Sequence, residues 1–285
     1  MTTQQWLITG ASSGLGVIMA ELALKEGHKV ICTARDPTKA KEQHPHIEKL
    51  GGTWIQLDVT SKETTKKVED AVREVNGQID VIVNNAGYSL LGSIEDMSET
   101  EIENQFNTNL YGPVRVLKGA LPFMRAQKSG TVVNISSSAG IDGVPTCAMY
   151  AGSKFALEGM SESLSKELAP FGIRVLLVEP GSLRTPFWTS FVSPAAGMNK
   201  DYAGTPLEDV LKKFGSKESN HPGDPFKTAQ RIVEVVTGTG MGVGKENLFR
   251  LPLGSDCYRR FQAKIDGMQQ NLKEAEEISH STGYQ

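Results

Sequence analysis

The chain has 285 residues, with 30 Lys and Arg set against 33 Asp and Glu for a formal net charge of −3. That length is enough for one α/β domain with a sizeable core and a C-terminal addition, and the interspersed charges give no electrostatic case for nucleic acid or an anionic membrane. Its 3 cysteines (Cys32, Cys147 and Cys257) form no paired framework, no apolar run approaches a membrane span, and the first strand begins too early to leave room for a leader, so a cytoplasmic protein is expected.

Gln5-Trp-Leu-Ile-Thr9 reads as a short buried strand running into Gly10-Ala-Ser-Ser-Gly14-Leu-Gly16. Leu15, Ile18 and Leu22, with Val17 and Leu24 beside them, then recur at helical spacing. Strand, glycine turn and helix are the context of a dinucleotide loop. Gly10 serves the tight turn, Gly14 lets the backbone approach a pyrophosphate and Gly16 permits close helix–strand packing, while free N–H groups at the helix start favour an anion. Further apolar strands are predicted at 29–34, 53–57, 80–84, 131–136 and 173–179, with a last one at 247–250. Helices are predicted at 61–75, 100–127 and 150–169, the last with a core stripe of Leu157, Met160, Leu164 and Leu168. Apolar strands without polar alternation are covered on both faces. The expected fold class is therefore α/β, a doubly wound parallel sheet of Rossmann type. It forms a single domain over 1–285, with a substrate lid at 183–224 and a C-terminal helix at 256–278. That helix carries Tyr258, Phe261, Ile265 and Met268 on one stripe, expected to pack on the domain or on a partner subunit.

Two local patterns bear on chemistry. Tyr150 and Lys154 are i,i+4 and share a helix face. An ammonium beside a phenol stabilises the phenolate and is expected to lower the Tyr150 pKa toward a working range. Ser137, at the end of a strand, is a hydroxyl suited to polarise a carbonyl. The second pattern is Arg35, directly after the strand at 29–34, where an acid would select NAD(H). A guanidinium suits a 2′-phosphate, with Ser13 as a helper, and so points to NADP(H). Asp36 next door argues the other way, and a solvated loop charge is the alternative for Arg35.

Thr9-Gly10-x-x-x-Gly14-x-Gly16, Asn84-Asn-Ala-Gly87, Ser137 with Tyr150-x-x-x-Lys154, and Pro180-Gly181 stand in this order over about residues 4–190. Together they resemble the short-chain dehydrogenase/reductase family. Thr33-Ala-Arg35-Asp-Pro37 and Glu179-Pro-Gly-Ser-Leu-Arg-Thr185 are similar to its 17β-hydroxysteroid-dehydrogenase-like subgroup. The resemblance implies an NADP(H)-dependent oxidoreductase of carbonyl reductase type, interconverting a ketone and its secondary alcohol. Tyr150 would exchange the proton with the substrate oxygen, Lys154 would tune Tyr150 and hold the nicotinamide ribose, and Ser137 would fix the oxygen. Asn109 matches the family's fourth catalytic residue, implied to hold a water linking Lys154 to solvent. The cofactor would lie against Gly10, Ser12, Ser13, Gly14, Leu15 and Gly16, then Arg35, Asp58, Val59, Asn85, Ala86 and Gly87, and beyond Tyr150 and Lys154 against Pro180, Gly181 and Thr185. Asp58 as an adenine contact competes with a strand-end cap, Asn84 with a stitch between strand ends, and Thr185 with a helix N-cap. The long helices at 100–127 and 150–169 are those through which such proteins pair, implying a homodimer or homotetramer.

Specificity is expected after Pro180-Gly181. Phe187, Trp188, Phe191, Met198, Tyr202, Leu207 and Phe214 suit a lid over the nicotinamide, or the core of the C-terminal part. Tyr88, Leu90 and Leu91 would form the opposite wall, with Val144 and Cys147 near the catalytic residues. Arg184 is the one weak candidate for a substrate anion, so a small hydrophobic or bulky ketone or alcohol is expected. Oxidation of a hydroxysteroid- or retinol-type alcohol is the alternative. An isomerase or dehydratase on the same scaffold, or a regulatory NADP-binding protein with a dead site, are the rivals. Three signals are set aside. Asn134-Ile-Ser136 is a sequon in a buried strand, His44-Pro-His46 reads as a solvated segment, and Gly238–Lys245 fails P-loop spacing and reads as a flexible turn.

Overall fold

The computed structural model describes residues 2–215 and 221–284. The chain alternates strands and helices: β1 (Gln5–Ile8), α1 (Gly14–Lys25), β2 (Lys29–Ala34), the short α2 (Pro37–Gln43) and α3 (Pro45–Lys49), β3 (Thr53–Gln56), α4 (Thr64–Glu74) and β4 (Val81–Asn84). It continues with α5 (Glu99–Phe106), α6 (Gly112–Gln127), β5 (Gly130–Ile135), α7 (Ala148–Leu168), β6 (Ile173–Pro180), α8 (Pro206–Gly215), α9 (Pro225–Thr237), β7 (Arg250–Leu253), α10 (Ser255–Glu274) and α11 (Glu276–His280). The strands form one parallel sheet of 7 in the order β3-β2-β1-β4-β5-β6-β7. The order reverses between β1 and β4, which opens a crevice at the carboxyl ends of those strands.

Successive strand residues feed opposite cores, which is why the apolar runs lack polar alternation. Trp6, Ile8, Val30, Cys32, Val81 and Val83 pack with α1 and α9, whereas Leu7, Ile31, Ile82 and Val132 pack with α4 and α6. In α1 the buried positions are Val17, Met19, Ala20, Ala23 and Leu24, while Leu15, Ile18 and Leu22 are only partly buried. The face that meets the sheet is therefore the small-residue one, which lets helix and strands approach closely. In α7, Leu157 and Leu168 are buried and Met160 and Leu164 partly so.

Three expectations are corrected. The helix expected at 100–127 is two, separated by a π turn over Asn107–Tyr111, with Pro113 opening α6. The last strand is Arg250–Leu253 rather than 247–250; it is an edge strand, where the missing N–H of Pro252 is tolerated. Of the two places expected for the stripe on the C-terminal helix, the domain does not take it: Tyr258, Ile265 and Met268 are exposed, and in α10 Cys257 is the buried residue. The segments around His44 and Gly238 each make specific contacts. His44 Nε2 lies 3.0 Å from the Ser12 carbonyl oxygen, and Gly242 turns against the Glu234 backbone too closely for any side chain. Helix α9 was not expected, although Asp224 caps its start through the N–H groups of Phe226 and Lys227 and Gly238 ends it at φ 67°. Among the described residues, no helix is long and apolar enough to cross a membrane.

Candidate active site

A cavity of about 690 Å³ runs along the carboxyl ends of β1, β2, β4, β5 and β6. Its first half is built by the glycine turn. Ser13 precedes α1 in extended backbone and makes no side-chain cap, and the first turn of α1 holds no acid, so its N–H groups are open to an anion. Gly10 and Gly14 both adopt positive φ, 62° and 56°. A Cβ on Gly10 would stand 2.9 Å from Ala86 Cα, whereas one on Gly14 would meet nothing within 4 Å. Gly16 lies behind the turn, where a Cβ would stand 2.5 Å from the Gly10 carbonyl oxygen. The turn is tied to the segment after β4: Asn85 Nδ2 donates to the Thr9 and Gly10 carbonyls at 2.9 and 3.1 Å, and Thr9 Oγ1 accepts from the N–H groups of Asn85 and Ala86. Such a glycine-lined groove fits a dinucleotide pyrophosphate.

Ser12, Ser13, Leu15, Arg35, Asp58, Val59, Asn85, Ala86 and Gly87 line this half as well. Arg35 is exposed beside it, and its carbonyl is held by Gln56 Nε2. The Asp36 carboxylate caps α2, accepting the Lys39 N–H at 3.0 Å. Asp58 lines the cavity and also caps the turn after β3, accepting from the N–H and hydroxyl of Thr60. Asn84 is a buried stitch: its Nδ2 donates to Asn134 Oδ1, and Asn134 Nδ2 donates to Ser161 Oγ.

The second half gathers Ser137, Tyr150 and Lys154. Ser137 stands two residues past β5 and accepts the Ala139 N–H at 3.1 Å, capping the 3-10 turn over Ser138–Gly140. Its hydroxyl lines the cavity with the Tyr150 phenol and favours the phenolate. Tyr150 and Lys154 lie on the inner face of α7, exposed by 7% and 6%. Lys154 Nζ donates to the Ile135 carbonyl at 2.8 Å and stands 6.0 Å from the Tyr150 ring centre. The expected lowering of the phenol pKa is not what this geometry produces. Burial pushes Tyr150 above the ordinary phenol range, with Ser137 and the Arg260 guanidinium offsetting only part of it. Burial also brings Lys154 down to about 8, against the pull of the Glu158 carboxylate one turn on. Glu158 accepts from Ser136 Oγ and Arg250, and Arg250 also pairs with Glu179. Burial, aided by the Glu158 charge, raises Glu179 to about 7 while Arg250 opposes the shift.

Asn109 sits in the π turn, outside the cavity wall. Both amide hydrogens are committed, to the Tyr88 carbonyl and to Ser153 Oγ at 3.0 Å, and its oxygen accepts the Tyr88 N–H. Gly87 fits between it and Lys154, for a Cβ there would stand 3.1 Å from Asn109 Oδ1 and 3.6 Å from Lys154 Nζ.

Pro180, Gly181, Thr185, Val144, Cys147, Tyr88 and Phe187 line the remaining wall. Thr185 precedes the 3-10 turn at Pro186–Thr189, but its hydroxyl makes no capping bond. Leu90 lies elsewhere: it is fully buried and bridges Val192, and Val192 takes the wall position. The Trp188 side chain is outside the described residues, as are residues 216–220 of the stretch expected to form the lid. The Phe187 ring centre is 5.9 Å from that of Tyr150, and Phe187, Phe191, Leu211 and Phe214 pack around Leu91, Ala139, Cys147 and Tyr150. Aromatics from the stretch after Pro180 thus pack around the phenol, as the expected core role requires. Two contributors from α10 were not anticipated. Asp256 accepts the Ser182 N–H at 2.8 Å behind Gly181, and Arg260 reaches the cavity. Both come from a polar helix far along the chain, with no local signal to mark them.

Residues 4–195 match the family model for short chain dehydrogenases. Oxidoreductase claN of Passalora fulva is 48% identical over 209 residues, which cover 73% of this chain and 94% of that one. Retinol dehydrogenase 8 of Homo sapiens is 43% identical over 250 residues, covering 82% and 78%. Among solved structures, a short-chain dehydrogenase from Streptomyces avermitilis matches with a TM-score of 0.86 at 35% identity, over 99% of each chain. ElxO with NADP bound matches with a TM-score of 0.69 at 26% identity, over 88% of this chain and 96% of that one.

Proposed function

The chain belongs to the short chain dehydrogenases, and on that premise we propose that it is an NADP(H)-dependent reductase of bulky apolar ketones. The observation that carries this reading is a single cavity in which Ser137, Tyr150 and Lys154 stand between a glycine-lined groove and an apolar wall. When bound, the nicotinamide supplies the hydride. The glycine turn and the open start of α1 hold the pyrophosphate, and Arg35 takes the 2′-phosphate, while the neighbouring Asp36 carboxylate caps α2. Pro180, Gly181 and Thr185 hold the carboxamide side.

Ser137 donates to the substrate oxygen and fixes it beside the Tyr150 hydroxyl. Tyr150 gives its proton to the oxygen as negative charge builds there, and the Lys154 ammonium compensates the phenolate left behind. A phenol raised by burial stays protonated through the neutral range, which is the form that reduction needs; oxidation requires the phenolate. Asn109 acts behind them, holding the backbone at Tyr88 against α7. Val144, Cys147, Phe187 and Phe214 offer the ketone an apolar surface, as an enzyme named for retinol would need. ElxO with its NADP supports the choice of cofactor. Exposed Tyr111 and Phe155, in the π turn and on α7, favour pairing as a homodimer or homotetramer.

The test is a panel of aryl, alicyclic and charged ketones with NADPH and NADH, followed by loss of cofactor absorbance. NADPH consumption with apolar ketones is expected, and Tyr150→Phe should abolish it while NADPH still binds. Preference for charged keto acids, or full activity in Tyr150→Phe, would overturn the reading.

A further inference from the structure

The turn that presents Ser137 is held from the far end of the chain. Arg260, in the second turn of α10, donates through Nε to Asp142 Oδ2 at 2.8 Å, through one terminal nitrogen to Ser138 Oγ at 2.8 Å and through the other to the Asp142 carbonyl at 2.6 Å. Three donors of one planar fork therefore grip the start of the 3-10 turn Ser138–Gly140 and Asp142, two residues past its end. The same guanidinium lines the cavity, and its charge reaches Tyr150 and Cys147. A lysine ammonium, a point charge, cannot hold three acceptors of this turn in one plane. The hydroxyl of Ser137 accepts the Ala139 N–H inside that turn, so its direction depends on the turn's shape.

We infer that Arg260 is a positioning residue: through Ser138 and Asp142 it fixes the turn that aims the Ser137 hydroxyl at the substrate oxygen. The inference rests on the assignment of Ser137 and Tyr150 under Proposed function. It also gives α10 a task. Asp256 in the helix's first turn fastens the backbone at Ser182 and Arg260 fastens the turn at Ser138, so one helix sets the separation of the two cavity walls. The sequence conceals this, because 118 positions separate Arg260 from Asp142.

The test compares wild type, Arg260→Met, Arg260→Lys, Asp142→Ala and the double variant Arg260→Met/Asp142→Ala. Amide hydrogen exchange over 137–142 is measured with kcat and KM for an apolar ketone and the Kd for NADPH. Exchange over that turn should rise about tenfold in Arg260→Met with the rest of the chain unchanged. Because a displacement near 1 Å at a reacting group costs roughly a hundredfold, kcat should fall between about tenfold and a hundredfold. The Kd for NADPH should stay within about twofold, a separation that simple loss of folded protein would not produce. Arg260→Lys should not restore turn protection, and the double variant should lose no more than Arg260→Met alone, since one clamp is broken only once. Unchanged exchange and kcat, additive losses in the double variant, or exchange raised across the whole chain would each overturn the inference. If the wild type reduces no ketone, the proposed function falls, while the exchange comparison still decides whether Arg260 holds the turn.

Discussion

Gly16 and Gly14 occupy the same turn, yet their replacement by alanine should fail in different ways. A Cβ on Gly16 would stand 2.5 Å from the Gly10 oxygen, 2.6 Å from Asn85 Nδ2 and 3.0 Å from Ala11 Cα. Two of these are backbone atoms, and the third is an amide already bonded to the Thr9 and Gly10 carbonyls. Nothing nearby can yield without a bond breaking. Overpacking of this kind costs roughly 1–3 kcal/mol, and loss of the Asn85–Gly10 bond adds about 1 kcal/mol. A total near 3 kcal/mol, at about 3 °C per kcal/mol for a chain of this size, lowers Tm by roughly 9 °C. Gly14 differs: space around it is open, and the cost is the positive φ of 56°, about 1 kcal/mol or roughly 3 °C. Its methyl would, however, project into the groove proposed for the pyrophosphate. Gly14→Ala should therefore weaken NADPH binding about tenfold or more with a modest loss of Tm, and Gly16→Ala should lose Tm first. Thermal unfolding and fluorescence titration with NADPH measure both. A wild-type Tm in Gly16→Ala, or wild-type NADPH affinity in Gly14→Ala, would refute the steric account of the turn.

Arg35→Ala should lower kcat/KM with NADPH about tenfold, the lower end of what a charge-assisted bond contributes because the side chain is exposed, and change that with NADH less than about twofold; equal losses with both cofactors would remove Arg35 from phosphate recognition. Lys154, held at about 8 by burial, is charged at neutral pH in the free enzyme and loses its proton as pH rises through 8. The kcat/KM for ketone reduction should accordingly fall above about pH 8, and a profile flat to pH 10 would contradict the need for the ammonium. Glu179 is raised from 4.5 to about 7, so the folded chain keeps a proton that the unfolded chain releases, and its contribution to stability declines as pH rises from about 4.5 to about 7. Glu179→Gln should flatten that part of the profile by about 2–3 kcal/mol, read by denaturant unfolding at pH 5 and pH 8; an unchanged slope would show that Arg250 keeps Glu179 ionised throughout.

The sheet was legible because its signal is local and redundant. Each central strand is covered on both faces, so β2 and β5 are mostly apolar, with Thr33 and Asn134 as buried polar residues, and do not alternate as an amphipathic strand would. The signal weakens where cover is lost. At the edge, β7 contains Pro252 and only partly buried residues, and the apolar Leu248-Phe249 just before it drew the expected strand toward the chain start. Periodicity also reports which side of a helix is apolar without reporting what meets it. Tyr258, Ile265 and Met268 do share one side of α10, and that side is exposed. The break between α5 and α6 had a marker in Gly112-Pro113, but a π turn keeps helical backbone through Asn107–Tyr111, so the composition of the whole stretch stays helical.

For the site, what was legible depended on whether a group acts through its neighbours in sequence or through its surroundings in space. The glycine turn and the Tyr150–Lys154 spacing are local, so the sequence sufficed to bring them to one cavity. Their electrostatics are not local. From the spacing alone the ammonium should dominate and bring the phenol down, but a charge 6.0 Å from the ring centre competes with removal from water of both partners. Phe187, Phe191 and Phe214 arrive from after Pro180 to exclude that water, and burial outweighs the pair, raising Tyr150 and lowering Lys154 together. The consequence for chemistry is a sign, not a detail. A phenol kept protonated is prepared to give a proton to an alkoxide and poorly prepared to take one from an alcohol. Phe187 packs on the phenol, so trimming it to alanine should lower the alkaline pH at which alcohol oxidation begins.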